Sequence, residues 1–147
     1  MLLQLMEWVM PNWIARFQRL TSERRALLVR AAMALSAASA AVAVLPFRRA
    51  IRLGCVPSSG MNFALPDCIW AVETAARHLP WRTMCIEQGI TTQRMLRRAG
   101  FDAILHYGAR NHADTNALEA HVWVTVHGRA VIGGAEAPNF AEIATFS

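Results

Sequence analysis

Residues 81–100 decide the fold and read WRTMCIEQGITTQRMLRRAG. The pattern predicts a helix that begins at Thr83, an N-cap residue type, carries Cys85 in its first turn and ends before Gly100. A helical wheel places mostly small side chains on one arc, namely Cys85, Gly89, Thr92, Leu96 and Ala99. The other arc holds Glu87, Thr91, Arg94 and Arg98. Because small side chains permit close packing, we expect this helix to lie against a sheet, with Cys85 within reach of a strand.

The next regular element is the alternating stretch 120–126, which reads AHVWVTV. Period-2 alternation puts Val122 and Val124 on one face and His121 and Trp123 on the other, and the all-valine face indicates a core. A turn at residues 127–128 then predicts a short strand over Arg129–Ile132. The order is therefore a helix followed by an antiparallel meander.

The pair Cys85 and His121 carries a chemical prediction. A thiol attacks as thiolate, and a helix N-terminus and a nearby imidazole both favour that form. Two plainer interpretations stay open from the residues alone: a packed core thiol, and a strand-end histidine bonded to backbone. His106, His112 and His127 lack the HExxH or i, i+4 spacing of zinc enzymes, so we expect neither a metal nor another cofactor.

The first half of the chain reads as helical. Residues 1–10 are apolar and stop at Pro11, and Thr21 or Ser22 can cap a long helix that runs to about Leu45. A second helix can be capped by Asp67, after a loop over residues 53–66 that is rich in Gly, Pro and Ser.

These elements predict an α+β fold in one compact domain. A helical N-terminal segment over residues 1–52 packs on the core or on a partner, and the core occupies residues 66–147. The stretch 31–47 holds seventeen uncharged residues. It is short for a membrane span, contains Ser36 and Ser39 and ends near Pro46, so we interpret it as a buried or partner-covered helix. No signal peptide is expected.

Composition narrows the function classes. With 147 residues, 54% hydrophobic and 17% charged, the chain can build a core and is not disordered. The formal charge of +5 is carried by arginine and favours an acidic partner or peptide, whereas no nucleic-acid motif is present. Three cysteines without CxxC spacing argue against a disulfide framework and a structural zinc site, and fit a reducing cytoplasm.

Five sequence blocks resemble a known family when taken in order. They are residues 82–88, 96–101, 119–124, 127–128 and 132–134, within a similarity that covers residues 66–146. The chain resembles the papain and transglutaminase-like group of folds, and more narrowly the lasso-peptide B proteins, which are leader peptidases. The resemblance implies N-terminal helices followed by a core in which a Cys-bearing helix packs on an antiparallel sheet.

The same resemblance implies a cysteine peptidase that removes the leader from a ribosomally made precursor. His121 would take the Cys85 proton, the thiolate would attack the scissile carbonyl, and water would hydrolyse the acyl-enzyme. The backbone N–H of Cys85, and as a second candidate the indole of Trp81, would stabilise the oxyanion. Many members place an Asp after the His strand, but here none follows Asp114, so Glu136 is predicted to orient His121. Asn139 is the amide alternative.

The implied partners are the precursor peptide and a separate precursor-recognition protein, because the resemblance is to the stand-alone peptidase of a split pair. The Arg-rich and Ala-rich helices are candidate docking surfaces for that protein or for the lasso cyclase. The alternative function is a non-catalytic peptide-binding or adaptor protein on the same scaffold, motivated by the missing Asp and the hydrophobic N-terminal helices. Acyl transfer to an amine is a third hypothesis.

Overall fold

The structure is a computed structural model that describes residues 12–147, so the apolar stretch 1–10 lies outside the described residues. The described part contains five α-helices: α1 (Asn12–Gln18), α2 (Ser22–Val44), α3 (Phe47–Ala50), α4 (Leu65–His78) and α5 (Cys85–Arg98). Its four strands are β1 (Ala103–Asn111), β2 (Leu118–Val126), β3 (Arg129–Ile132) and β4 (Ala141–Phe146). Two 3₁₀ turns span Ile51–Gly54 and Ala137–Asn139. The predicted α+β class is confirmed.

Helix α5 is the centre of the molecule. It contacts β1 and β2 on one side and α2, α4 and the Ile51–Gly54 turn on the others. It is therefore buried around most of its circumference, and both Glu87 and Thr91 are buried. Both lie on the arc opposite Cys85, and they are buried because helices cover the side of α5 that faces away from the sheet.

One of the predicted helix N-caps is confirmed, and two predicted helix starts differ from the structure. Thr21 caps α2 as predicted, its side chain accepting from the Arg24 N–H. Helix α5 begins at Cys85 with Met84 at the N-cap, rather than at Thr83. Helix α4 begins at Leu65, so Asp67 lies in the first turn instead of capping it.

The C-terminus of α5 closes as the sequence predicts. Gly100 has a φ of +87°, its N–H donates to the Arg97 carbonyl at 2.9 Å, and the Phe101 N–H donates to the Leu96 carbonyl at 3.0 Å. This pair of bonds is a Schellman motif, which needs a left-handed residue and therefore favours glycine.

Helix α2 is partly buried. One stripe, formed by Leu27, Ala31, Leu35 and Ala38, is buried in the core, and α2 packs mainly against α4 and α5. The opposite side is exposed, with Val29, Met33 and Val44 in contact with solvent. Among the described helices, α2 has the length and composition to cross a membrane, a property that core helices and signal sequences share with true spans.

The sheet is antiparallel with strand order β3-β2-β1-β4. The predicted hairpin is present: β2 and β3 are joined at His127 and Gly128, both with positive φ, and Val126 pairs with Arg129. Strand β4 was not predicted from the sequence. It pairs with β1 at the far edge, where it brings Glu142 opposite Gly108.

Candidate functional site

Helix α5 and strand β2 are in direct contact. A Cβ built on Gly89 would lie 2.5 Å from Cγ1 of Val122, so only a glycine permits this approach. One turn later, the Gln93 amide donates to the Ala103 carbonyl at 3.3 Å, and Ala103 pairs with Val126. Helix α5 therefore runs along β2 in the same direction.

This alignment places the start of α5 beside the start of the valine run. Cys85 precedes Gly89 by four residues, or about 6 Å of helix. Two residues of strand span about 7 Å, so the first turn of α5 extends towards the residues of β2 that precede Val122. The structure thus brings the predicted nucleophile and base to the same end of the molecule.

The His121 ring is held by a backbone carbonyl. Its Nε2 lies 2.8 Å from the Gly133 carbonyl oxygen. Because a carbonyl only accepts, Nε2 must carry the proton, and the neutral ring then has its lone pair on Nδ1. An imidazole in this tautomer can act as a base through Nδ1.

Helix α5, which carries the Cys85 thiol, and the His121 ring lie on opposite faces of β2. Val122 contacts α5, whereas His121 stacks on Trp123 with ring centroids 6.1 Å apart on the other face. Among the hydrogen bonds of residues 12–147, none joins the Cys85 thiol to the His121 ring. The β2–β3 ladder ends at the Val124–Ile132 pair, so no strand covers this edge of β2 at His121. The ring therefore lies at the edge of β2, where the backbone of Gly133 borders it.

The three cysteines have different surroundings. All are free thiols, with Cys55 and Cys85 half-buried and Cys68 buried. Burial raises the pKa of Cys68 to about 12, so that thiol stays protonated at neutral pH. Cys85 is half-buried and is the first residue of α5, where the helix dipole favours an anion.

The first turn of α5 is fixed by its own side chains. The buried Glu87 carboxylate accepts from the Met84 N–H, and the Gln88 amide donates to the Thr83 hydroxyl at 3.2 Å. These bonds hold the segment that leads into Cys85. The Trp81 indole, a candidate oxyanion donor from the sequence, donates to the Ser39 hydroxyl of α2 at 3.2 Å.

The candidate third residues lie in the segment after Gly133. Glu136 accepts from the Asn139 amide at 3.4 Å, and both side chains are exposed. The acceptor on His121 in this structure is the Gly133 carbonyl. A backbone carbonyl has no side-chain signature, so sequence reasoning missed it.

Sequence reasoning also missed the surroundings of the His121 ring. Phe140 packs against it with ring centroids 5.1 Å apart, and His106 stacks on Trp123 with ring centroids 5.3 Å apart. His106 had been considered only as a metal ligand. The available signal was its position in a strand that pairs with β2, which puts His106 directly opposite Trp123.

The chain is similar to a known protein family. A family model described as transglutaminase-like superfamily matches residues 6–145. No curated protein and no solved structure matches the chain. The chain therefore belongs to the transglutaminase-like superfamily, whose fold is used by cysteine peptidases.

Proposed function

We propose that this protein is a cysteine peptidase that removes the leader from a ribosomally made lasso-peptide precursor. Cys85 is the nucleophile and His121 is the base. The observation that carries the proposal is the bond from His121 Nε2 to the Gly133 carbonyl, which leaves Nδ1 free to accept the thiol proton. The position of Cys85 as the first residue of α5 supports it.

The reaction would proceed in two halves. His121 Nδ1 takes the proton of Cys85, and the thiolate forms a bond to the scissile carbonyl carbon. The imidazolium then protonates the leaving amine as the C–N bond breaks, which leaves a thioester. Water, deprotonated by His121, attacks the thioester and releases the leader acid and the free thiol. The Cys85 N–H at the open end of α5 is the proposed oxyanion donor.

The proposal requires the Cys85 thiol and Nδ1 of His121 to meet at the edge of β2 beside Gly133 when substrate binds. Hydrogen bonds of catalytic residues are often long before substrate binds and tighten in the complex. In the resting geometry the Gly133 carbonyl fills the orienting role that an Asp has in many family members. Glu136 is the carboxylate that the sequence predicts for that role, but with the Gly133 carbonyl in place we expect its loss to have little effect on cleavage.

The substrate class rests on two features beyond the site. The sequence blocks around Cys85 and His121 resemble those of lasso leader peptidases. The described N-terminal helices also form a strongly basic layer, since residues 12–52 contain a single acid, Glu23, against eight arginines: Arg16, Arg19, Arg24, Arg25, Arg30, Arg48, Arg49 and Arg52. Such a layer suits an acidic leader or an acidic recognition protein.

The test begins beside the coding region, where the proposal expects a short precursor gene and a gene for a recognition protein. Purified protein is incubated with both gene products, and mass spectrometry reads the leader fragment. Cys85→Ala and His121→Ala should each abolish cleavage, whereas Cys55→Ala, which removes another half-buried thiol, and His78→Ala, which removes an exposed histidine, should retain it. Cleavage that survives in Cys85→Ala overturns the proposal.

A non-catalytic adaptor is the second candidate, and one observation favours it. Cys85 and His121 are not hydrogen bonded and lie on different faces of β2. An adaptor would bind the precursor or the recognition protein with unchanged affinity in Cys85→Ala and would cleave nothing. Binding without cleavage by the unaltered protein, with the recognition protein supplied, would establish this alternative.

A further inference from the structure

One face of the sheet carries a row of stacked rings that ends at His121. His106 and Trp123 are nearly parallel, with ring centroids 5.3 Å apart and planes 4° apart. Trp123 and His121 follow at 6.1 Å and 20°. Trp123 is 8% exposed, so it is fixed between its neighbours. The row connects the proposed base to a histidine on a different strand.

His106 is held at both ring nitrogens. Its Nδ1 lies 2.6 Å from the Glu142 carboxylate and its Nε2 lies 2.8 Å from the Thr125 hydroxyl. The carboxylate only accepts, so Nδ1 carries a proton, while a hydroxyl can donate to or accept from Nε2. The ring therefore keeps both partners whether it is neutral or charged. A ring pinned at two opposite atoms cannot rotate.

The far side of His121 is closed by a second aromatic contact. Phe140 lies 5.1 Å from the His121 ring, and the Arg110 guanidinium lies 4.6 Å from the Phe140 centroid. Arg110 is paired with Glu119 at 2.7 Å. Arg110, held by Glu119, therefore packs on Phe140. In the same way His106, held by Glu142, packs on Trp123.

The strand opposite His121 makes room for both rings. Gly108 pairs with His121 in the register of β1 and β2. A Cβ at Gly108 would lie 2.9 Å from Cζ3 of Trp123 and 3.0 Å from Cβ of Phe140. Only glycine at this position lets Trp123 and Phe140 converge on the imidazole.

Two kinds of contact restrict the His121 ring, a hydrogen bond and aromatic packing. The hydrogen bond to Gly133 fixes one ring atom but leaves rotation about that bond. Flat walls on both sides remove the rotation, because tilting the ring would push into Trp123 or Phe140. We propose that His106 and Glu142 are positioning residues for His121: they hold Trp123, and Trp123 sets the plane of the imidazole. The proposal rests on the proposed function for the role of His121, but not for the ring contacts.

The test needs no natural substrate. The probe is iodoacetamide, and the rate of Cys85 alkylation is followed from pH 5 to 9 by peptide mass spectrometry. In parallel, two-bond ¹H–¹⁵N NMR of histidine-labelled protein reports the tautomer and titration of His121. Glu142→Ala should slow Cys85 alkylation at pH 7 about tenfold, since small misplacements of a reacting group have large effects on rate. It should also change the His121 ring signals.

Three further variants separate positioning from a general loss of structure. Glu142→Gln keeps an oxygen that accepts from His106 Nδ1, so it should restore most of the rate and the His121 signals. His106→Phe keeps a ring without pinned nitrogens and should resemble Glu142→Ala. Glu73→Gln, an exposed carboxylate on α4, should change neither readout.

The outcomes separate this proposal from the proposed function. If Glu142→Ala leaves both the His121 signals and the pH profile as in the unaltered protein, the positioning role is overturned. If Glu142→Ala changes the His121 signals but the rate of Cys85 alkylation does not follow the titration of His121 in any variant, the ring contacts are supported. The proposal that Cys85 and His121 act as a catalytic pair is then overturned. A fall in melting temperature alone, with both readouts unchanged, also counts against positioning.

Discussion

His121 Nε2 and the Gly133 carbonyl oxygen lie 2.8 Å apart, and Gly133 reaches this place because it has no side chain. Its φ is +71°, and a Cβ there would lie 2.6 Å from the Val122 carbonyl oxygen. The chain leaves β3 in this left-handed conformation and presses its backbone against β2. A backbone carbonyl is therefore the hydrogen-bond acceptor for the histidine that we propose as the base.

Replacing Gly133 by Ala should impair the site more than the fold. A left-handed alanine costs about 1–2 kcal/mol, and the contact with Val122 forces the backbone away from His121. We expect Cys85 alkylation by iodoacetamide at pH 7 to slow by about tenfold or more. Urea unfolding measures the accompanying loss of stability.

Gly128 offers a matched control for this substitution. It has a φ of +75° with no atom within 4 Å of a built Cβ, so Gly128→Ala has the same strain without the contact. It should destabilise the protein by about 1–2 kcal/mol and leave the alkylation rate unchanged. Equal rates in the two variants would contradict an orienting role for the Gly133 carbonyl.

The sequence correctly predicted the helix ends and turns that depend on the conformational preference of one or two residues. Gly100 ends α5, Thr21 caps α2, and His127 with Gly128 forms the hairpin turn, each through a preference of the residue itself. The alternation in β2 also predicted correctly that its valines face the core.

The sequence was a poor guide where neighbours from elsewhere in the chain decide. Glu87 and Thr91 are buried because other helices pack on the side of α5 that faces away from the sheet. A helical wheel of α5 alone carries no information about those helices. Strand β4 is short, mostly exposed and at an edge of the sheet, so its sequence pattern is weak. The Gly133 carbonyl and the stacked rings depend on register between strands. That register is a tertiary property.

The buried thiol should be far less reactive than the proposed nucleophile. Burial raises the pKa of Cys68 from its ordinary value of 9.0 to about 12. At pH 8 we expect iodoacetamide to label Cys85 in the native protein and to label Cys68 only after urea unfolding. Peptide mass spectrometry distinguishes the sites, and native labelling of Cys68 at the rate of Cys85 would contradict the prediction.

The same shift predicts a sign for the pH dependence of stability. The folded state holds the Cys68 proton more tightly than the unfolded chain does, so this contribution is fully present below about pH 9 and is lost as pH rises towards 12. Cys68→Ala should therefore show a smaller loss of stability than the unaltered protein between pH 9 and 10.5. Urea unfolding at each pH measures the difference.

The contact between Gly89 and Val122 should appear as coupling between the two positions. Alanine in a helix interior is favoured over glycine by about 1 kcal/mol. Because the added Cβ would lie 2.5 Å from Val122 Cγ1, we instead expect Gly89→Ala to destabilise the protein by about 1–3 kcal/mol. Val122→Ala alone removes buried methyl groups and should destabilise it by roughly 2 kcal/mol.

The double variant is the decisive measurement. With Val122 shortened, the Gly89→Ala methyl group has room, so the losses should fall short of their sum by about 1 kcal/mol or more in urea unfolding. Additive losses would mean that α5 shifts away from β2 without strain. Such a shift would also move Cys85, and it would weaken the alignment on which the dyad depends.

Glu136→Gln tests whether a carboxylate joins the site during the reaction. The His121 Nε2–H already has the Gly133 carbonyl as acceptor, and Glu136 is exposed and bonded to Asn139 at 3.4 Å. We therefore expect cleavage of the precursor within about threefold of the unaltered protein, because neutral Gln keeps the Asn139 contact. If cleavage falls about a hundredfold or more while iodoacetamide labelling of Cys85 stays unchanged, Glu136 must reach His121 in the substrate complex.

Asn139→Ala is the paired variant for the other candidate orienting residue. A loss in Asn139→Ala but not in Glu136→Gln would assign the orienting role to the amide instead.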